Sequence, residues 1–257
     1  MQPFAKKIKP SIHHSAFTLV EMLVVIAIIS ILMSVAVVGI NGMGGKGVTS
    51  GVATAESIFN EARTVAIGKS LRTCVLVAKT LDNTPSEDLR RMLVAYEELV
   101  KDPTTGELKP SDEQDPTKLN WTLSSRAVLL PEQTYFSGLF SMKSHESASG
   151  NLDEISSTRF TGTTKPAHVG TYYIYSFNAQ GICAPIGQVD GQGMSFIIGS
   201  GVRNNSQSST AAPPKVTSSA KKDFGGFVIW RNGSTSVFRT PDQMGSRVKA
   251  LTPGKEF

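Results

Sequence analysis

The sequence predicts an α+β fold, with helix first and a mostly antiparallel β headpiece after it. Three observations carry this. Residues 17–38, FTLVEMLVVIAIISILMSVAVV, form an apolar run of 22 residues with one charge in it, Glu21. From Val52 to Ile67 apolar residues recur at spacings of three and four, the period of one helix face. Beyond Leu71 the pattern changes to β-branched and aromatic segments divided by turn residues, and consecutive strands after one helical region imply α+β, with a sheet or sandwich.

The N-terminal run comes first. As a helix it would extend about 33 Å, enough to cross a hydrocarbon core of about 30 Å. A carboxylate inside such a run costs on the order of 2.5 to 3.5 kcal/mol at mid-membrane, and less near an end. Such a group is a functional candidate whose partner should be named. Residues 1–16 carry Lys6, Lys7 and Lys9, no acid, and end in Ser15-Ala16. A basic segment ahead of an apolar one leaves the lysines in the cytoplasm. In an ordinary secretory signal the small residues at the cleavage site follow the apolar stretch; here they precede it. Cleavage after Ala16 would remove the leader, keep the helix and expose a free amine at Phe17.

This arrangement resembles the class III signal of type IV pilins and type II secretion pseudopilins, and Phe17-Thr18-Leu19-Val20-Glu21 matches its motif residue for residue. Where the family usually has Gly before the cut, this chain has Ala16. The resemblance implies a prepilin peptidase that cuts between Ala16 and Phe17, methylation of the Phe17 amine, and a filament-assembly role for Glu21. In that role Glu21 pairs with the Phe17 amine of a neighbouring subunit, since two charges unfavourable in a bilayer are tolerated when paired. The alternative is a Glu21 that sits at the membrane interface and reaches water. The implied partners are the peptidase, other pilin or pseudopilin subunits and an inner-membrane assembly platform. The implied location is a single pass of the bacterial inner membrane, with the headpiece periplasmic or extracellular.

Between the two helical segments stand Gly39, Gly42, Gly44, Gly45, Gly47 and Gly51. Each glycine weakens a helix by about 1 kcal/mol relative to Ala, so residues 39–51 are expected to form a joint or a plain linker. Val52, Ala55, Phe59, Ala62 and Ala66 then make one apolar stripe, the core face of a helix laid on a sheet. Residues 61–67 followed by 72–77 resemble the helix and first strand of the minor pseudopilin H group. In that family the long N-terminal helix would end here, near Lys69.

Strands are expected at residues 71–79 and 91–100, around the turn-rich Asp82-Asn83-Thr84-Pro85, and at 121–130 as one strand or two. Residues 171–178 alternate clearly, with Tyr173, Tyr175 and Phe177 on one face. Residues 194–198, 224–231 and 235–239 follow, the last two joined by the hairpin signal Asn232-Gly233. The segments 177–181, 195–198 and 228–233 are loosely similar to the headpiece of the same pseudopilin group. Three segments, 102–118, 141–166 and 200–222, are too polar to bury apolar surface and are expected as exposed, partly disordered loops. The domain division is thus a leader at 1–16, an assembly helix at 17–38, a joint at 39–51 and the headpiece at 52–257.

Chemistry-bearing groups are few. Asp112, Glu113 and Asp115 are hard oxygen donors, but a calcium loop needs alternating ligands and a turn glycine, and Pro116 follows at once. No metal and no cofactor is expected. Cys74 and Cys183 are either a disulfide closing a loop of over a hundred residues, worth roughly 4 to 5 kcal/mol at most, or two buried thiols. His13 and His14 fall in the leader, His145 and His168 in polar surroundings, and no hydrolase, zinc, phosphate or nucleotide motif is present. An enzyme is not expected. Of the net charge of +5, the leader lysines supply +3, and no basic patch with interleaved aromatics argues for nucleic acid. The expected function is a structural subunit, a minor pilin or pseudopilin of a type IV pilus-like or type II secretion filament. The alternative is a membrane-anchored surface or adhesion protein that carries the same signal without forming a filament.

Overall fold

The computed structural model describes Val20, residues 22–26, Ile28, and residues 43–124, 126–143, 150–162, 165–183, 193–202 and 223–238. The chain divides into two units, Met1–Met43 and Gly44–Phe257. In the first, the described residues are helical. The second is the α+β headpiece, with antiparallel sheets as the sequence predicts.

Helix α1, Met43–Lys69, opens earlier than its apolar stripe. Gly44, Gly45, Gly47 and Gly51 are all helical, so the helix is unbroken over the described part of the expected joint; Gly39 and Gly42 lie outside the described residues. At Gly47 and Gly51 the conformational cost is offset by close packing against Thr134 and Ile198. The stripe itself lies where its period puts it, with Val52, Ala55, Phe59, Ala62 and Ala66 all buried. The helix ends with Ser70 in the left-handed region at φ 54°. The Leu71 N–H donates to Ala66 O and the Ser70 N–H to Ile67 O, both at 3.3 Å, which satisfies the last carbonyls in the Schellman pattern.

Five strands form the spine of the larger sheet. They are β1 (Thr73–Leu81), β2 (Arg91–Glu97), β5 (Trp121–Leu123), β8 (Asp153–Ser156) and β9 (Gly170–Phe177), in the order β5-β2-β1-β9-β8. A short β6, Val128–Leu129, pairs with the other end of β2, so residues 121–130 give two strands. The smaller sheet runs β12-β11-β10-β7, from β7 (Thr134–Phe136), β10 (Met194–Ser200), β11 (Phe224–Ile229) and β12 (Thr235–Phe238). The Asn232-Gly233 turn joins β11 to β12, with the Gly233 N–H donating to Trp230 O at 2.8 Å. The remaining strands, β3 (Val100–Lys101) and β4 (Leu108–Lys109), pair as a ribbon inside the acidic loop.

The period-two alternation of the central strands sorts side chains to two faces. Val75 and Val77 of β1, Met92 and Val94 of β2, and Tyr175 and Phe177 of β9 face the main core with α1. Cys74, Leu76 and Ala78, with Leu93, Ala95, Tyr172 and Ile174, face a second cluster closed by Leu119, Trp121, Ile155 and Phe160. Phe59 stands at the centre of the main core. Its ring meets Tyr175 at 5.1 Å and Phe177 at 6.3 Å from the larger sheet, and Phe196 at 5.3 Å and Phe227 at 5.1 Å from the smaller, all edge-on. That geometry is favoured by the ring quadrupoles. One helix therefore fastens two sheets.

Two expected loops differ from the prediction. Within 141–166 the chain supplies the edge strand β8, and Ile155 and Phe160 bury their side chains; the apolar residues were too sparse to signal a strand. The acidic segment 102–118 is exposed as expected but ordered by the β3–β4 ribbon and by the ion pair described next. Of 200–222, residues 203–222 lie outside the described residues.

Candidate functional site

The sequence singles out Ala16, Phe17 and Glu21, and all three lie outside the described residues. On either side of Glu21, Val20, residues 22–26 and Ile28 are described and helical. Val20, Met22, Leu23, Val24, Val25, Ile26 and Ile28 are 44 to 69 % exposed. A helix apolar on every side is stable only against lipid or other apolar helices. Among the described residues no helix is long and apolar enough to cross a membrane; most of the 17–38 run is not among them.

Among the described headpiece residues, a buried ion pair ties three segments together. Arg72, the last of the three residues that link the helix end to β1, meets Glu97 at the end of β2. Arg72 Nε donates to Glu97 Oε2 at 2.7 Å and Nη2 to Oε1 at 2.6 Å. The Glu97 side chain is 1 % exposed and that of Arg72 20 %, so the carboxylate is buried with its partner. The pair also grips the acidic loop. Arg72 Nη2 donates to Ser111 O, the Ser111 N–H donates to Glu97 Oε1, both at 2.6 Å, and Arg72 Nη1 donates to Glu113 O. Bidentate geometry suits a guanidinium, and a lysine could not reproduce it. Sequence reasoning missed this pair; the only signal was an acid closing an otherwise apolar strand.

Of the carboxylates weighed as calcium donors, Glu113 and Asp115 accept hydrogen bonds within turns and Asp112 faces Lys109. Asp115 accepts from the Thr117 hydroxyl at 2.6 Å and the Thr117 N–H at 3.0 Å, and the hydroxyl bond holds its carboxyl below the ordinary range. Asp112 lies 3.4 Å from Lys109, and Glu113 accepts from the Asp115 N–H at 3.0 Å. Among the described residues no three His, Cys, Asp or Glu side chains converge as a metal site.

Cys74 and Cys183 are both free and buried. Thr73, the neighbour of Cys74, pairs with Phe177 on β9, and Cys183 bridges to that same Phe177. On β9, β8 pairs opposite β1; Cys183 follows β9 on that far side, two strand spacings or about 10 Å from β1, beyond the roughly 7 Å reach of a disulfide. The side chains also point apart: Cys74 into the outer cluster and Cys183 into the main core. The bridge is therefore not formed in this structure. Burial raises both thiols, Cys183 to about 12.

The glycines of α1 form a packing seam. A Cβ on Gly51 would stand 2.8 Å from Ile198 Cδ1 and 3.0 Å from Thr134 Cγ2, and one on Gly47 would lie 3.3 Å from Thr134 Oγ1. Across the seam a Cβ on Gly225 of β11 would meet Val48 and Val52 at 3.3 Å. The spacing of four between Gly47 and Gly51 was the legible sign, one helix turn on one face. Beside it a small groove is lined by Val48, Thr49, Val52, Ala53, Glu56, Gly225 and Val237.

Comparison with known proteins agrees with the N-terminal reading. The prokaryotic N-terminal methylation motif matches residues 13–37, a span containing Ala16, Phe17 and Glu21. No curated protein and no solved structure matches the chain. The chain thus carries a type IV pilin-like signal, that of proteins processed by prepilin peptidase. Such a signal belongs to membrane-anchored or surface-exposed proteins that assemble with other pilins.

Proposed function

We propose that this chain is a minor pilin or pseudopilin, a structural subunit of a type IV pilus-like or type II secretion filament. Prepilin peptidase cuts between Ala16 and Phe17, the new amine of Phe17 is methylated, and Glu21 pairs with the Phe17 amine of a neighbouring subunit during assembly. The helix rests in the inner membrane before extraction, with the headpiece on the periplasmic or outer side. The observation that carries this reading is the methylation motif over residues 13–37. The exposed apolar side chains described on either side of Glu21 support it, because once they are covered by lipid or by other helices a carboxylate among them is stable only with a partner. The likeness to the H group of minor pseudopilins rests on residues 61–67 and 72–77, which form the last turns of α1 and the start of β1.

The test is Glu21→Ala in the native host. The filament reading predicts normal processing and loss of sedimentable assemblies. A variant that is processed and sediments like the wild type would leave a membrane-anchored surface protein with the same signal, and the subunit role would fall.

A further inference from the structure

At one end of the larger sheet two connections meet, held by hydrogen bonds along their edges and by a buried histidine at their centre. The β1–β2 connection contains the 3-10 turn Pro85–Glu87, and the β8–β9 connection contains the turn Pro166–His168. The Asp82 N–H donates to Val169 O at 3.0 Å, Asn83 Nδ2 to Pro166 O at 2.8 Å and the Thr84 hydroxyl to Ala167 O at 3.5 Å. At the centre Arg91 Nη1 stands 2.9 Å from His168 Nδ1. Both residues are buried, Arg91 at 7 % and His168 at 9 % exposure.

The chemistry of this contact has one solution. A guanidinium has donors only and does not lose its proton, so His168 Nδ1 must accept. The ring is then neutral, with its proton on Nε2. Protonation of Nδ1 would remove the acceptor and set an imidazolium against a guanidinium at hydrogen-bond distance, in a site with little water to screen them. From the packed elements, Arg91 faces the ring from β2, Lys165 from the residue before its own turn, and Glu87 from the opposite turn, where its carboxylate is already paired with Arg91. Asp88 is committed elsewhere, accepting from the Leu81 N–H at 2.7 Å. The Tyr172 hydroxyl donates to the His168 carbonyl at 2.8 Å and so holds the backbone, not the ring.

We propose that the Arg91–His168 contact is an acid-released latch, which joins the two turns when His168 is neutral and frees them when it is protonated. The strands beneath, β1 and β9, are held by their own ladder and by both apolar clusters, so release is local to this end of the headpiece. Burial first, then the charges of Arg91 and Lys165, lower the His168 pKa from its ordinary 6.5, with Glu87 opposing. The unfolded chain takes up the proton before the folded one. The latch is therefore intact above about pH 6.5 and is lost as the pH falls from there through the lowered folded value. On a protein whose headpiece lies outside the cytoplasm, that is a response to external acid.

Hydrogen exchange of the full chain in detergent micelles, corrected for the intrinsic pH dependence of exchange, tests this. Between about pH 7.5 and about pH 5.5, protection at residues 82–90 and 165–169 should fall roughly fivefold or more while β1 and β9 keep theirs. In His168→Gln the amide oxygen can still accept from Arg91, and the loss should vanish. No loss in the wild type, or an equal loss in the variant, overturns the proposal. Should the variant not fold, the nitrogen spectrum of the wild-type imidazole decides. A bare Nδ1 at about pH 7.5 supports the latch, and a protonated Nδ1 refutes it.

Discussion

Arg72 closes on Glu97 through two parallel hydrogen bonds of 2.7 and 2.6 Å, directly after the helix ends and before the first strand begins. The pair joins the foot of α1, the end of β2 and the acidic loop through one buried carboxylate. Removing one partner leaves the other buried and unpaired, which costs about 3 kcal/mol or more when a pair is fully enclosed. Arg72 keeps some solvent access, so the lower end applies.

Glu97→Gln should therefore lower headpiece stability by about 2 to 3 kcal/mol and release the 102–118 segment. Thermal unfolding of the full chain in detergent reads the first effect, and hydrogen exchange over 102–118 reads the second. A variant with unchanged midpoint and unchanged loop protection would show that the pair merely decorates the surface. Arg72→Lys should behave nearly as badly, because an ammonium cannot serve both Glu97 oxygens and the carbonyls of Ser111 and Glu113 together.

The helix glycines give a prediction with two signs. At Gly51 a larger side chain must displace Ile198 and Thr134, so Gly51→Leu should destabilise by about 1 to 3 kcal/mol through overpacking. At Gly68 a Cβ meets nothing within 4 Å, so Gly68→Ala should stabilise by about 0.5 to 1 kcal/mol through helix propensity. Denaturant midpoints of the two variants check this. A Gly51→Leu variant as stable as the wild type would contradict the seam between α1 and the smaller sheet.

The cysteines should titrate as two thiols. Alkylation of the denatured chain without reductant is expected to add two groups, at Cys74 and Cys183. In the native state both should react slowly, because burial hides them and keeps the thiolate scarce near neutral pH. A denatured, unreduced chain that takes no label would mean a bridge, and with it a different arrangement of β1 and the segment after β9.

What was legible in the sequence was local. The stripe from Val52 to Ala66 follows from helical period alone, and all five residues are buried. Tyr173, Tyr175 and Phe177 lie on the core side of β9 as their alternation requires. The N-terminal signal is a contiguous motif and needs no tertiary knowledge. What escaped was set by partners far away in sequence. Nothing near Asp153–Ser156 marks a strand, because β8 exists by pairing with β9. The glycines of residues 44–51 read as breakers until Thr134 and Ile198 show how closely they pack where a Cβ at Gly51 would stand. His168 reads as a loop histidine until Arg91, 77 positions away, comes within 2.9 Å.

Intact mass and N-terminal sequence of the protein extracted from membranes of its native host test the central claim most directly. The account predicts a chain that begins at Phe17 and is heavier by one methyl group. A chain still beginning at Met1 would make the apolar run an anchor only, and one beginning beyond Val38 would make it an ordinary secretory signal. Either result would contradict the filament-subunit reading.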